Sequence, residues 1–476
     1  MFPGSLFQGC RVMDFKVFFN GMVQTVYPAR VSAMQFNQIY QGRQRPLDQT
    51  LISHFVSVEL AEPGELIVES PDFAGKNIEI RPFDYNIPFT VDDCRVFIQL
   101  DKPGQFVLEA GDRDHVLHIF VNPPFHYEHT DNEIYFGPGI HHPGTILPVS
   151  GQTVCFDAGA VVYGHLKLAD VQNVKIVGPG ILNSENIPRD PGNNMTNPEY
   201  VTNSCLVAMN CKNILVRDVI FQDAPIWAVV IRNNCRNVIF DNVKLIGLWR
   251  YNSDGIDICA SQDVEIKNSF IRSFDDCFVA RGAYLQNETE DVDNVLVENC
   301  VMWCDWGKCL EVWAGHKPCL INNVTCRNIQ IVHTSHIIAD ITTWFGSNDT
   351  KICNITYENI TLDLGEELLE PQIEDKNTPA YQWLPRQSGE LVKICCGKLG
   401  KNLGNQHWGE MVDPEYYNLS FENIVLRNFK FNKAGFVPSL LLDASQPCLK
   451  IKGVTLYDLG GMQIEKIGTV EDLSVE

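Results

Sequence analysis

The chain has 476 residues, 45% of them hydrophobic, and carries 59 acidic against 37 basic side chains for a formal net charge of −22. An acidic surface without a basic cluster argues against nucleic acid, an anionic membrane or an acidic polymer as partner. The length exceeds one compact core of ordinary size, so two domains or one long repetitive body is implied.

Residues 1–25 lack a basic start that leads into an unbroken apolar segment and a small-residue cleavage site, and no later run reaches membrane-spanning length. The sequence therefore reads as soluble, unexported and cytoplasmic. Residues 1–125 hold short alternating runs ("HFVSVELA", "ELIVES", "NIEIRPF", "RVFIQLD", "QFVLEAG", "VLHIFVN") separated by Pro, Gly and Asp turns. That pattern predicts an N-terminal antiparallel β-sandwich, placed to cap the apolar end of a second domain. "NPPFHYEHTDNE" at 122–133 reads as a linker, with the second domain spanning 133–476.

From about residue 170 a pattern recurs in which Asn or Asp precedes alternating apolar positions: Asn173, Asn213, Asn237, Asp263, Asn294, Asn323, Asn354 and Asn418. From Asn213 to Asn354 the steps are 24, 26, 31, 29 and 31 residues. Period-two strands on a solenoid period, with no leucine framework, predict a right-handed parallel β-helix in which like residues stack as ladders. The non-periodic segment 365–390 reads as a loop inserted between coils, a candidate wall of a cleft.

The chemistry-bearing motifs lie within the repeats. "YNSDGIDI" supplies Asp254 and Asp257, and "FDDCFVARG" one coil later supplies Asp275 and Asp276. Asp257 points away from Ile256 and Ile258 and reads as structural. Each motif alone is an ordinary turn sequence. Together they place carboxyls on neighbouring coils, the arrangement an inverting glycosidase needs for one acid and one water-activating base, and crowding keeps one member protonated. Calcium is the weaker reading of such a cluster. A zinc site at Cys300, Cys304, Cys309, Cys319 and Cys326 lacks paired C-x-x-C spacing. No metal and no cofactor is expected, and the 17 cysteines read as reduced thiols.

"DAPIWAVVIRNNCRNVIFDNVKL", "YNSDGIDI" and "FDDCFVARG" in that order resemble the core of the polygalacturonase and dextranase clan of inverting β-helix hydrolases (family 28 and family 49-like), over about residues 135–345. The leading sandwich resembles the dextranase-like branch. The resemblance implies Asp275 as general acid and Asp254 with Asp276 as the pair that holds and activates water. Where pectin-cleaving members have Gly-His-Gly, this chain has "CDWGKCLEVWAG", which puts Lys308 in place of the histidine, followed by Glu311. A downstream Arg-Ile-Lys is also missing.

Those departures point to a neutral α-linked glycan. A pectinase-like exo-hydrolase holding its uronate through Lys308, Arg281 or Arg250, a polysaccharide lyase, and a non-catalytic glycan binder stand as alternatives. Lys308 needs an acidic partner, Glu311 or Asp276. Trp227, Trp249, Arg250, Tyr251, Arg281, Trp303, Trp306, Trp313, His316 and Trp344 are the candidate sugar contacts, the aromatics as stacking walls. A carbohydrate is the expected partner, and a homo-oligomer stays open.

Overall fold

The computed structural model describes residues 15–33, 47, 50–189, 203–282, 288, 291–313, 318–334, 337–343, 349–363, 390–396, 418–432 and 437–476. The inserted segment 365–390 lies almost wholly outside these residues, as do Trp344 and His316. No helix among them is long and apolar enough to cross a membrane.

The first body is a two-sheet sandwich. One sheet has the order Met22–Gln24, Lys16–Phe19, Gly64–Glu69, Arg95–Leu100, Phe89–Asp92. The other has Val26–Ser32, Thr50–Glu59, Val116–Asn122, Gly104–Ala110, Ile78–Arg81. Alternation turns Val17, Leu66, Val68 and Ile98 of one sheet toward Val56, Phe106, Leu108 and Ile119 of the other, and each such buried side chain contributes roughly 1.5–3 kcal/mol. The pairings are antiparallel as the sequence predicts, except that Thr50–Glu59 runs parallel to Val116–Asn122.

Among the described residues from Glu133–Phe136 onward, 27 strands pair in parallel as a β-helix. Its interior is built of like residues stacked coil on coil. One row reads Leu206, Val229, Ile256, Phe278, Leu310, Ala339, Val392 and Leu440, all of them in one continuous core. β-Branched residues suit these half-turn strands because their restricted χ1 matches the pleat.

The coils turn at asparagines. Asn213, Asn237, Asn294, Asn323 and Asn354 all have φ between 55° and 57°, a left-handed conformation that Asn tolerates better than most residues. The Asn213 amide donates to Asn173 at 2.9 Å and the Asn237 amide to Asn213 at 2.8 Å. A second ladder lies five residues further along each coil: the Asn328 amide donates to Asn299 at 3.1 Å, and that of Asn359 to Asn328 at 2.8 Å. The structure corrects the last step. Ile355 pairs with Ile424, so Asn354 is continued by Asn423, whose amide donates to it at 3.2 Å, while Asn418 stacks on Asp349. The two ladders share the Asn-x-x-x-x-Asn spacing, so a shift by one ladder preserves the sequence pattern.

The sandwich does not cap the end of the β-helix; it lies along its flank. Phe55, Val107, Val116 and Phe120 pack on the outward residues Ile181, Ile220, Phe270, Val301 and Val332 of successive coils, with the Phe120 and Phe270 rings 5.1 Å apart. An outward apolar row needs cover as much as an end does. Trp303, read above as a sugar wall, is fully buried in this interface, its ring centred 4.0 Å from that of His333.

Candidate active site

On the face that follows this flank along each coil, strands Val229–Arg232, Ile256–Cys259, Phe278–Arg281, Leu310–Trp313 and Ala339–Thr343 stack in register. Their inward positions are apolar. Their outward positions form one ladder of Val230, Asp257, Val279, Glu311 and Asp340, and the next outward ladder carries Arg232, Cys259, Arg281, Trp313 and Thr342.

The turns entering these strands bring the predicted acids together. The Gly255 amide donates to the Asp276 carbonyl at 2.7 Å and the Asp275 amide to the Ser253 carbonyl at 3.3 Å, so Asp254 and the Asp275–Asp276 pair occupy adjacent coils. Lys308 lies one coil further on, its carbonyl accepting from the Cys277 amide at 2.8 Å. Glycine is required where the segments press together. A Cβ on Gly307 would lie 2.5 Å from the Asp275 carbonyl carbon and 2.7 Å from its Oδ1, and one on Gly255 would lie 2.3 Å from the Cys277 oxygen.

Cations are interleaved with the acids. The Arg281 guanidinium is 3.1 Å from Asp257 and 3.6 Å from Asp254. It is held between the Trp227 and Trp313 rings, 4.5 Å and 4.6 Å from their centroids. Lys308 Nζ lies 2.5 Å from Glu311 and 3.7 Å from Asp276, whose Oδ1 also accepts from the Lys308 amide at 2.8 Å. Asp275 instead accepts from the Asn252 amide at 3.3 Å.

Burial lifts the pKa of Asp275 to about 6, with Lys308 opposing and Glu311 adding to the rise. Burial, and then neighbouring acids, push Asp254 and Asp276 well above the ordinary range. Glu311 goes the other way: burial opposes ionisation, but Lys308 and Arg281 outweigh it and hold its pKa low. The cluster therefore carries fewer charges at neutral pH than it has carboxyls. Oδ1 of Asp254 is buried without a hydrogen-bond partner among the described residues, which leaves an acceptor for a substrate or a water.

At the rim, the Trp306 ring stacks on Phe274 at 5.4 Å and stands 6.3 Å from Tyr251. Both Trp306 and Tyr251 are partly exposed, as sugar-stacking walls must be. Arg250 is tied instead to the Asp223 carboxylate and to the carbonyls of Asp223 and Ala224. The Trp249 indole donates to Asp223 at 3.1 Å and faces Arg30 of the sandwich. Asp340, Asn252 and Phe274 escaped the sequence reading. Asp340 had a detectable signal, because aligning "GIDIC", "CLEVW" and "IADIT" puts it in the column of Asp257 and Glu311. The cysteines are core residues: Cys300, Cys304, Cys309, Cys319 and Cys326 are buried free thiols. Among the described residues no His, Cys, Asp and Glu group has the form of a metal site.

Residues 157–365 match the model of glycosyl hydrolases family 28. Exopolygalacturonase of Cochliobolus carbonum is 25% identical over 195 residues, 32% of this chain and 43% of the relative. Exopolygalacturonase B of Aspergillus niger is 28% identical over 243 residues, 40% of this chain and 53% of the relative. The chain thus spans about half the length of the curated relatives it matches. Among solved structures, Dex49A from Penicillium minioluteum superimposes with a TM-score of 0.61 at 12% identity, covering 98% of this chain and 94% of its own. The polygalacturonase from Erwinia carotovora ssp. carotovora gives 0.50 at 12% identity, over 72% of this chain and 88% of its own.

Proposed function

We propose, for a chain that belongs to the polygalacturonase/dextranase-like clan of β-helix hydrolases, that it cleaves a glycosidic bond with inversion of configuration, acting from the end of a galacturonate-containing chain. The observation that carries the hydrolytic reading is the placement of three carboxyls on adjacent coils with different partners. Asp254 and Asp276 each have a cation within ion-pair distance, which opposes the rise in pKa that burial and the neighbouring acids impose on both. Asp275 is held by a neutral amide.

In this reading Asp275 donates its proton to the leaving glycosidic oxygen as the bond to the anomeric carbon breaks. Asp254 and Asp276 hold a water on the opposite face and take its proton as the oxygen attacks. Arg281 and Lys308 orient the two base carboxyls and oppose, without cancelling, the rise in pKa that burial and the neighbouring acids give them. The exo mode and the acidic sugar are supported by the names of the sequence relatives, both exopolygalacturonases.

A neutral α-linked glycan is the second reading, and one observation favours it. Arg281 and Lys308, the cations nearest the acids, already face two carboxylates each, so a uronate would have to share them. Incubation of the protein with trigalacturonate and, separately, with isomaltotriose and maltotriose, followed by proton NMR, tests both. Release of monogalacturonate, first seen as the inverted anomer, is the expected result. Faster turnover of a neutral trisaccharide would transfer the assignment to the second reading. Retained configuration, or an ultraviolet-absorbing unsaturated product, would overturn the inverting hydrolase itself.

A further inference from the structure

We infer that the N-terminal sandwich positions the reactive carboxyls in the other domain through Arg113 and Asp305. The inference deepens the hydrolase reading above and rests on it for its kinetic consequences.

Arg113 lies in the turn between strands Gly104–Ala110 and Val116–Asn122 of the sandwich, and its guanidinium donates to Asp305 of the β-helix. Both side chains are buried, at 6% and 1% exposure. Asp305 also accepts from the Trp303 indole at 2.9 Å and lies 3.4 Å from Arg272. Its carboxylate is therefore fixed from three sides in a water-poor interface, where charge-assisted hydrogen bonds are strong.

Asp305 begins the segment that overlies the acids. Its amide donates to the Ser273 carbonyl at 2.8 Å and the Gly307 amide to the Phe274 carbonyl at 3.0 Å. The Lys308 amide then reaches the Asp276 carboxylate at 2.8 Å, and the Cys304 thiol contacts the Asp275 carbonyl at 3.3 Å. Residues 304–308 thus lie along 273–276 bond by bond. They carry Trp306, the wall stacked on Phe274, and Gly307, which touches Asp275 with no space to spare. A shift of Asp305 moves this segment and with it the groups that set Asp275 and Asp276. Arg113 and Asp305 touch no reacting atom; they are positioning residues.

The two can be separated by mutation. Loss of Asp305 leaves Arg113 and Arg272 buried without their shared counter-charge, which endangers folding. Loss of Arg113 leaves Asp305 with Arg272 and Trp303, so Arg113→Met is the variant of choice. Phe120→Leu, in the same interface but packed on Phe270, is the control for interface damage alone.

In the full-length protein, Arg113→Met should lower kcat by about 10²-fold with KM changed by no more than about twofold, as displacement of catalytic groups by about an ångström does. Arg113→Lys should recover part of the loss. Phe120→Leu should lower the melting temperature and leave kcat near wild type. A wild-type kcat in Arg113→Met, or an equal loss in Phe120→Leu, overturns the inference. Amide hydrogen exchange of residues 304–308 is the second readout and needs no substrate: exchange should quicken in Arg113→Met and not in Phe120→Leu, and unchanged protection overturns the inference. Absence of turnover by the wild type with every glycan counts against the hydrolase reading, and the exchange result then decides the positioning role by itself.

Discussion

Asp254 and Asp276 sit one above the other on adjacent coils, joined by the Gly255 amide, which donates to the Asp276 carbonyl at 2.7 Å. Each faces its own cation, Arg281 at 3.6 Å and Lys308 at 3.7 Å. The stacking of a parallel β-helix brings two acids from separate turns within one coil spacing of each other, about 4.8 Å, and the interleaved cations offset their repulsion.

Replacement of any of Asp254, Asp275 and Asp276 by Asn should reduce turnover by about 10²–10⁴-fold, the usual worth of a general acid or base, with the fold retained. An activated aryl glycoside needs little protonation of its leaving group, so it should restore part of the activity of Asp275→Asn and none of that of Asp254→Asn. Near-normal turnover of a natural glycan by Asp275→Asn would remove Asp275 from the acid role.

Gly307→Ala should damage the site more than the fold. The added methyl would meet the backbone of Asp275 and Asp276 at 2.5–2.6 Å, and relief requires that one segment move. Overpacking of this kind costs about 1–3 kcal/mol, so the variant should fold, melt a few degrees lower and lose most of its activity. A fully active Gly307→Ala would show that the segment has slack at this point.

The buried acids should make the protein less stable as pH rises through neutrality. Burial, opposed by Lys308 and reinforced by Glu311, lifts Asp340 to about 7; burial, opposed by Arg281, lifts Asp257 to about 7. A carboxyl whose pKa is raised on folding binds its proton more tightly in the native state. Its contribution is complete below the unfolded value of about 4 and fades, by up to about 1.4 kcal/mol per pH unit for each group, until the folded value is passed. In urea titrations at pH 5 and pH 8, Asp340→Asn should show a smaller loss of stability between the two than wild type and should exceed wild type at pH 8. Parallel pH dependences would contradict the shift.

The asparagine ladders should be stabilising one residue at a time. Asn328 has φ 55°, donates to Asn299 at 3.1 Å and accepts from Asn359 at 2.8 Å. Asn328→Ala should cost about 1–3 kcal/mol from the left-handed backbone and the lost bonds. Asn328→Gly should lose the ladder bonds and avoid the backbone strain, so the glycine variant should be the more stable of the two by thermal melt.

The sequence alone determined the β-helix, because period-two strands and corner asparagines are local signals that stacking repeats in every coil. It also determined that Asp254, Asp275 and Asp276 would meet, since their separation of one coil converts directly into adjacency once the strands are in register. Tertiary structure alone decided the rest. An outward apolar residue reads the same whether a second domain covers it or a sugar stacks on it, so only the docking of the sandwich separates Trp303, buried against His333, from Trp306 at the rim. The two asparagine ladders share one spacing, so only the pairing of Ile355 with Ile424 fixed which asparagine continues which. The link from Arg113 to Asp305 spans 192 residues and has no periodic signature, because it joins two independently patterned bodies whose relative placement no local rule encodes.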